Sequence, residues 1–127
     1  MKAATTEWIR KAEGDFRTAI RESRVRKKPN FDAVCFHAQQ SIEESIKGML
    51  TEWGIPFAKL HDLVKLSEPT WPRFPELRVS RVKLDLLSRY SVGFRYPGET
   101  ATKLESREAI EALRVLRDLI RRRLKYR

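Results

Sequence analysis

Cysteine occurs once in this chain of 127 residues, at Cys35. A lone cysteine excludes an internal disulfide and any metal site built from several thiolates. Its place among the apolar positions of a helical pattern marks it as a buried, inert thiol. Histidine occurs twice, at His37 and His61, and the two are too far apart for the helical His-Glu-His spacing of a metalloprotease. Neither a metal nor a cofactor is expected. The 5 glycines are scattered, so there is no glycine-rich phosphate loop. No apolar run approaches the ~18 residues of a membrane span, and with no apolar stretch and cleavage site near Met1 no secretory leader is expected. These absences lead us to expect a cytoplasmic protein with no membrane partner. Strand-like alternation, internal repeats and low-complexity linkers are missing too. Neither a Ser-His-Asp order nor a paired-carboxylate site stands out.

What the sequence does have is positive charge. Its 27 basic and 17 acidic residues give a net charge of +10 and a pI of about 10.2. That balance favours a polyanionic partner, whether nucleic acid, nucleotide or acidic protein, over a merely solvated basic surface. The hydrophobic fraction of 41% suits one globular domain over residues 1–127.

Apolar residues recur at helical steps throughout. A first helix is expected over residues 6–26, capped by Thr5 or Thr6, with Trp8, Ile9, Ala12, Phe16, Ala19 and Ile20 on one face. A second, starting at Asn30 or Asp32 and reaching about 52, carries Phe31, Val34, Cys35, Ala38, Ile42, Ile46 and Met49 inward. Its seam of small residues, Ala38, Ser41, Ser45 and Gly48, allows close approach of a neighbour and marks it as the central helix. Gly54-Ile55-Pro56 breaks the pattern. A short helix over 59–66 should follow, then a proline-rich loop over 68–75 pinned by Trp71 and Phe74. A fourth main helix is expected over 76–90, a loop over 91–99, and a last helix over 102–126 with Ala109, Leu113, Leu116, Ile120 and Leu124 inward. The fold class is all-α, an up-and-down bundle of four to five helices.

Candidate chemistry lies on the polar side of the second helix, where His37, Gln40, Glu44 and Lys47 form one stripe and Glu43 pairs with Lys47 at i,i+4. Such a stripe is either solvated or lines a cleft. His61 reads as a cap, a packing group or an acid/base. In the late loop, Arg95 has the fork to grip phosphate or carboxylate, and Tyr96 offers a stacking face; alternatively Arg95 binds helix-end carbonyls. Two basic stripes, Arg107, Arg114, Arg117, Arg121 and Lys125 on the last helix and Arg10, Arg17, Arg21 and Arg24 on the first, suit a phosphate backbone. Glu13, Glu111 and Asp118 lie near enough to neutralise parts of them.

Several segments together resemble the HEPN family of small helical domains: Trp8 with the stretch 12–15, Phe36-His37-Ala38-Gln39-Gln40-Ser41-Ile42-Glu43 with Lys47, His61-Asp62-Leu63, and Arg95-Tyr96-Pro97. The resemblance implies a helical bundle that pairs into a homodimer and associates with nucleotides or RNA. It also implies a possible minimal nucleotidyltransferase partner, the two forming a toxin–antitoxin-like pair. Carried onto this chain, Arg95 and Tyr96 would hold an anion and a base, Lys47 and His61 would line the same cleft, and Gln40 and Glu43 would support it. The ribonuclease branch of the family uses an arginine followed after four to six residues by a histidine. Neither His37 nor His61 has that arginine, so no catalytic residue is expected. The alternatives are a metal-independent ribonuclease with His61 as acid/base and Arg95 steadying phosphate, and a structural dimer without a ligand.

Overall fold

The computed structural model describes residues 1–91 and 97–126. Three long helices form its body: α1 (Ala3–Ser23), α2 (Phe31–Glu52) and α6 (Lys103–Leu124). Four shorter pieces complete it: α3 (Leu63–Ser67), a 3₁₀ turn (Glu68–Thr70), α4 (Pro75–Val79) and α5 (Arg81–Ser88), of which α3 and α5 pack on α2, and α4 and α5 on α6. Among the described residues there is no strand. The all-α up-and-down bundle expected from the periodicity is what forms.

Helix α2 is the axis, as its small-residue seam foretold. Ala38, Ser41, Ser45 and Gly48 are all buried. Ser41 donates its hydroxyl hydrogen bond to the Ala12 carbonyl across the α1 contact (2.9 Å). A Cβ at Gly48 would come within 3.2 Å of Trp8 Cβ and 3.1 Å of Ile9 Cδ1, so α1 and α2 approach closely enough here that a larger residue would push its neighbours back. Asn30 caps α2 by accepting from the Ala33 N–H (3.0 Å). Asp32 instead accepts from the Ala101 N–H (2.6 Å), which ties the entry of α6 to the start of α2. At that entry Thr102 and Glu105 form a reciprocal capping box.

Several boundaries differ from the sequence expectation: α1 ends at Ser23 and not 26, and the expected loop over 68–75 contains a 3₁₀ turn. Helix α1 starts earlier, with Lys2 as its N-cap and Thr5 buried inside it. The Lys2 N–H and ammonium bond to Glu52 Oε1 (3.0 Å) and the Thr51 carbonyl (3.1 Å), so a tertiary anchor sets the start that a hydroxyl cap was expected to set. Helix α3 begins only at Leu63, because Asp62 accepts from the Val64 and Lys65 N–H groups and so caps it (3.0 and 3.2 Å). The expected helix over 76–90 is two helices hinged at Ser80, whose N–H bonds back to the Glu76 and Leu77 carbonyls (3.2 Å each). Leu77, Leu84 and Leu87 still face the core across that hinge, while Val79 and Val82 stay exposed. Phe74 is in the core and Trp71 is half-buried, its indole N–H donating to Ser67 Oγ (3.0 Å).

Candidate functional site

A buried carboxylate organises the polar side of α2. The Glu43 side chain is only 5% exposed. Its Oε1 accepts from Gln39 Nε2 (2.9 Å) and His61 Nδ1 (3.0 Å), and its Oε2 accepts from Lys47 Nζ (3.0 Å). Gln40 joins through Gln39, donating to its Oε1 (2.7 Å). Helical geometry places Gln39, Glu43 and Lys47 on one line of α2, and the Asp62 cap fixes His61 just ahead of α3. Burial pushes the Glu43 carboxyl up, but the hydrogen bonds from His61, Gln39 and Lys47 outweigh it and hold the group below its ordinary value. An ionised carboxylate only accepts, so His61 Nδ1 carries the proton and a neutral imidazole offers its other nitrogen as the lone pair. That ring is 64% exposed.

Lys47, 12% exposed, also lies 5.5 Å from the centre of the Trp8 ring, and Lys11 lies 5.7 Å from it. Phe57 meets Trp8 edge to face at 6.3 Å. An aromatic pair flanked by two ammonium groups therefore borders the Glu43 cluster.

Further along the same stripe lies a second acidic cluster. His37 Nδ1 is 2.6 Å from Asp15 Oδ1, and the Glu44 carboxyl meets that of Asp15. Burial first, then the hydrogen bond to Asp15 and the charge of Asp15, push the Glu44 carboxyl up to about 9. Among the described residues no donor reaches the buried Glu44 Oε1. An acid proton on Glu44, donated to Asp15, is what makes the contact favourable. The sequence alone showed no paired-carboxylate site; the fold creates one from residues on two helices.

Of the residues singled out from sequence, Glu43, Lys47 and His61 meet directly and Gln40 joins through Gln39. Arg95 and Tyr96 lie outside the described residues. Sequence reasoning missed Asp15 and Lys11 as members of this region, though Trp8, Lys11 and Asp15 follow at helical steps on α1 and carried the signal. The basic stripe of α6 is partly neutralised. Arg117 grips Glu13 with Nε (2.8 Å) and Nη2 (2.5 Å), and Arg121 donates to Asp118 (2.6 Å). Arg107, Arg114 and Lys125 remain exposed, as do Arg10, Arg17, Arg21 and Arg24. Among the described residues no group of His, Cys, Asp and Glu side chains could hold a metal ion, and no helix is long and apolar enough to cross a membrane.

A helical bundle with a polar, histidine-bearing face on its central helix is the class that fold and site define. The HEPN domain model matches residues 5–123, and the chain belongs to that family, whose members are associated in general with nucleotides and RNA. The crystal structure of TT1696 from Thermus thermophilus superposes with a TM-score of 0.74 at 20% identity, over 95% of this chain and 98% of that one; this likeness concerns the fold. No curated protein matches the sequence.

Proposed function

We propose that this chain is a nucleotide- or RNA-binding module in which Lys47 and His61 line the ligand cleft, Glu43 and Gln40 support it, and Arg95 and Tyr96 hold the anion and a base or partner ring. It acts in the cytoplasm as a homodimer and as the partner of a minimal nucleotidyltransferase, the two forming a toxin–antitoxin-like pair. One observation carries the reading. A nearly buried Glu43 carboxylate takes three donors at 2.9–3.0 Å and leaves an oriented, exposed imidazole. A buried ion pair adds little stability over a well-packed apolar pair, so such a cluster is better explained by positioning than by scaffolding. The net charge of +10 supports an anionic ligand.

The same geometry favours a second reading. Glu43 fixes the His61 tautomer as a carboxylate fixes a catalytic histidine, which suits a metal-independent ribonuclease. One experiment separates the two. Labelled ATP and a mixed RNA are titrated, with chelator present, against the protein and its Lys47→Ala, His61→Ala and Arg95→Ala variants. Recognition predicts intact RNA and about tenfold weaker binding in each variant, the worth of one charge-assisted hydrogen bond. Cleavage lost in His61→Ala establishes the ribonuclease instead. Binding equal in all four proteins refutes the cleft. Light scattering reads the homodimer, and a small nucleotidyltransferase that co-purifies reads the pair.

A further inference from the structure

The charge that the α6 stripe loses to Glu13 and Asp118 reappears at one end of the bundle. There the C-terminal ends of α2 and α6 meet the turn that leads into α4. Trp53 closes α2 as its C-cap. The Arg73 guanidinium carbon lies 4.2 Å from the centre of the Trp53 ring, and that of Arg123 lies 5.0 Å from it. Arg123 Nη2 also donates to the Arg73 carbonyl (3.4 Å). Two residues before Arg73, Trp71 carries the Arg78 guanidinium at 6.0 Å.

Among the described residues none of Arg73, Arg78 and Arg123 is in an ion pair. The nearby Asp118 is engaged by Arg121 (2.6 Å) and Arg122 (3.1 Å). Sharing one ring brings the Arg73 and Arg123 charges closer than about 10 Å, the screening length at 0.1 M salt, so they repel each other with no carboxylate in ion-pair contact with either among the described residues. Aromatic contact takes none of the guanidinium N–H donors, and apart from the Arg123 Nη2 bond to the Arg73 carbonyl they are left to match phosphate oxygens in pairs.

We propose that this Arg73–Arg78–Arg123 end is a second binding surface, separate from the Glu43 cluster, that grips the phosphate backbone of single-stranded RNA. Arginines packed on aromatic rings suit a single strand, because a guanidinium can stack a base on its outer face while its N–H groups take a phosphate. An acidic peptide would meet the charge but make no use of stacking.

The test is fluorescence anisotropy of a labelled single-stranded oligoribonucleotide over a series of salt concentrations, with polyglutamate as the competing probe class. In the Arg73→Gln/Arg123→Gln protein, RNA affinity falls about tenfold or more. The slope of log K against log salt becomes shallower by about 1.4, at about 0.7 for each phosphate of a single strand that the protein no longer neutralises. The drop in slope from Arg73→Gln/Arg123→Gln is the same with or without Lys47→Ala in the same chain, so failure of this surface is distinguishable from failure of the cleft. Arg73→Lys/Arg123→Lys keeps charge and packing, holds the slope and weakens affinity through loss of the fork. Should the glutamine pair not fold, as read by circular dichroism, the lysine pair decides alone, and wild-type affinity in it overturns the proposal. A wild-type slope in the glutamine pair overturns it as well. So does an equal change in Arg10→Gln/Arg17→Gln, which would reduce the effect to net charge. Loss of polyglutamate binding with RNA binding intact would reassign the surface to an acidic protein.

Discussion

Replacing Glu44 with glutamine should stabilise the protein at neutral and alkaline pH. In the native state burial and the neighbouring Asp15 push the Glu44 carboxyl from 4.5 up to about 9. Between those values the folded chain keeps a proton that the unfolded chain has released, so stability falls as pH rises. The loss begins near 4.5 and is complete above about 9. Each pH unit inside that window is worth ~1.4 kcal/mol, which sets a ceiling of about 3 kcal/mol at pH 7. Glu44 is only partly buried and solvent screens part of the effect, so the expected gain at pH 7 is about 1–2 kcal/mol. Glutamine keeps both the shape and a donor for Asp15, so the contact survives while the titration is removed. Urea unfolding at several pH values between 5 and 9 reads the effect. All other titrating groups are common to both proteins, so the difference between the two stability curves isolates Glu44. It should be near zero at the acidic end and widen steadily with pH. Curves that run parallel would refute the shared proton. A glutamine variant that is less stable at every pH would show that Glu44 is ionised and paired with a cation.

Arg117→Ala leaves the Glu13 carboxylate, 17% exposed, without its bidentate partner and uncovers the Phe16 ring now 4.0 Å from the guanidinium. We expect a loss of about 2–3 kcal/mol in urea unfolding, and Glu13→Gln in the same protein should restore part of it. Burial pushes the Cys35 thiol up to about 12, so a thiol-reactive disulfide reagent at pH 8 should label Cys35 only as fast as the protein opens. A fast labelling phase in native buffer would place the thiol at the surface. Gly48→Ala gains ~1 kcal/mol of helix propensity but sets a Cβ 3.2 Å from Trp8 Cβ, a contact no rotamer can relieve. Overpacking of about 1–3 kcal/mol wins, and thermal melting should fall by several degrees; a rise would mean that α1 shifts freely along α2.

The long helices were legible because their signal is local. The apolar faces of α1, α2 and α6 repeat over five or more turns, and the small-residue seam from Ala38 to Gly48 foretold how closely α1 packs. The boundaries that moved are those set by distant partners. Thr5 has the chemistry of a cap, yet Lys2 begins α1 because Glu52 and the Thr51 carbonyl hold it there. The hinge at Ser80 has no punctuating glycine or proline to announce it. The site divides in the same way. Glu43 and Lys47 are four residues apart on one helix, so their pairing was visible. Their junction with His61 was visible only as family likeness, since 18 residues and a chain reversal separate His61 from Glu43. Of the Asp15–His37–Glu44 cluster, His37 and Glu44 showed as one stripe on α2, but spacing could not tell that Asp15 of α1 meets them.

Charge shows most clearly how spacing and fold divide the information. Helical spacing correctly places Arg114, Arg117 and Arg121 along one side of α6, and on that basis they form a phosphate-sized stripe. Spacing carries no information on what faces them. Glu13, 104 residues away from Arg117, and Asp118 one turn from Arg121 take up two of those cations. An arginine held by a carboxylate must break that bond before it can serve a phosphate, whereas one held over an indole need not, because the ring attracts its charge without taking its N–H donors. Arg73 and Arg123 over Trp53 are of the second kind. Residues that look equally basic in the sequence are therefore unequal as anion ligands: Arg117 and Arg121 are engaged by carboxylates, while Arg73 and Arg123 over Trp53 are not.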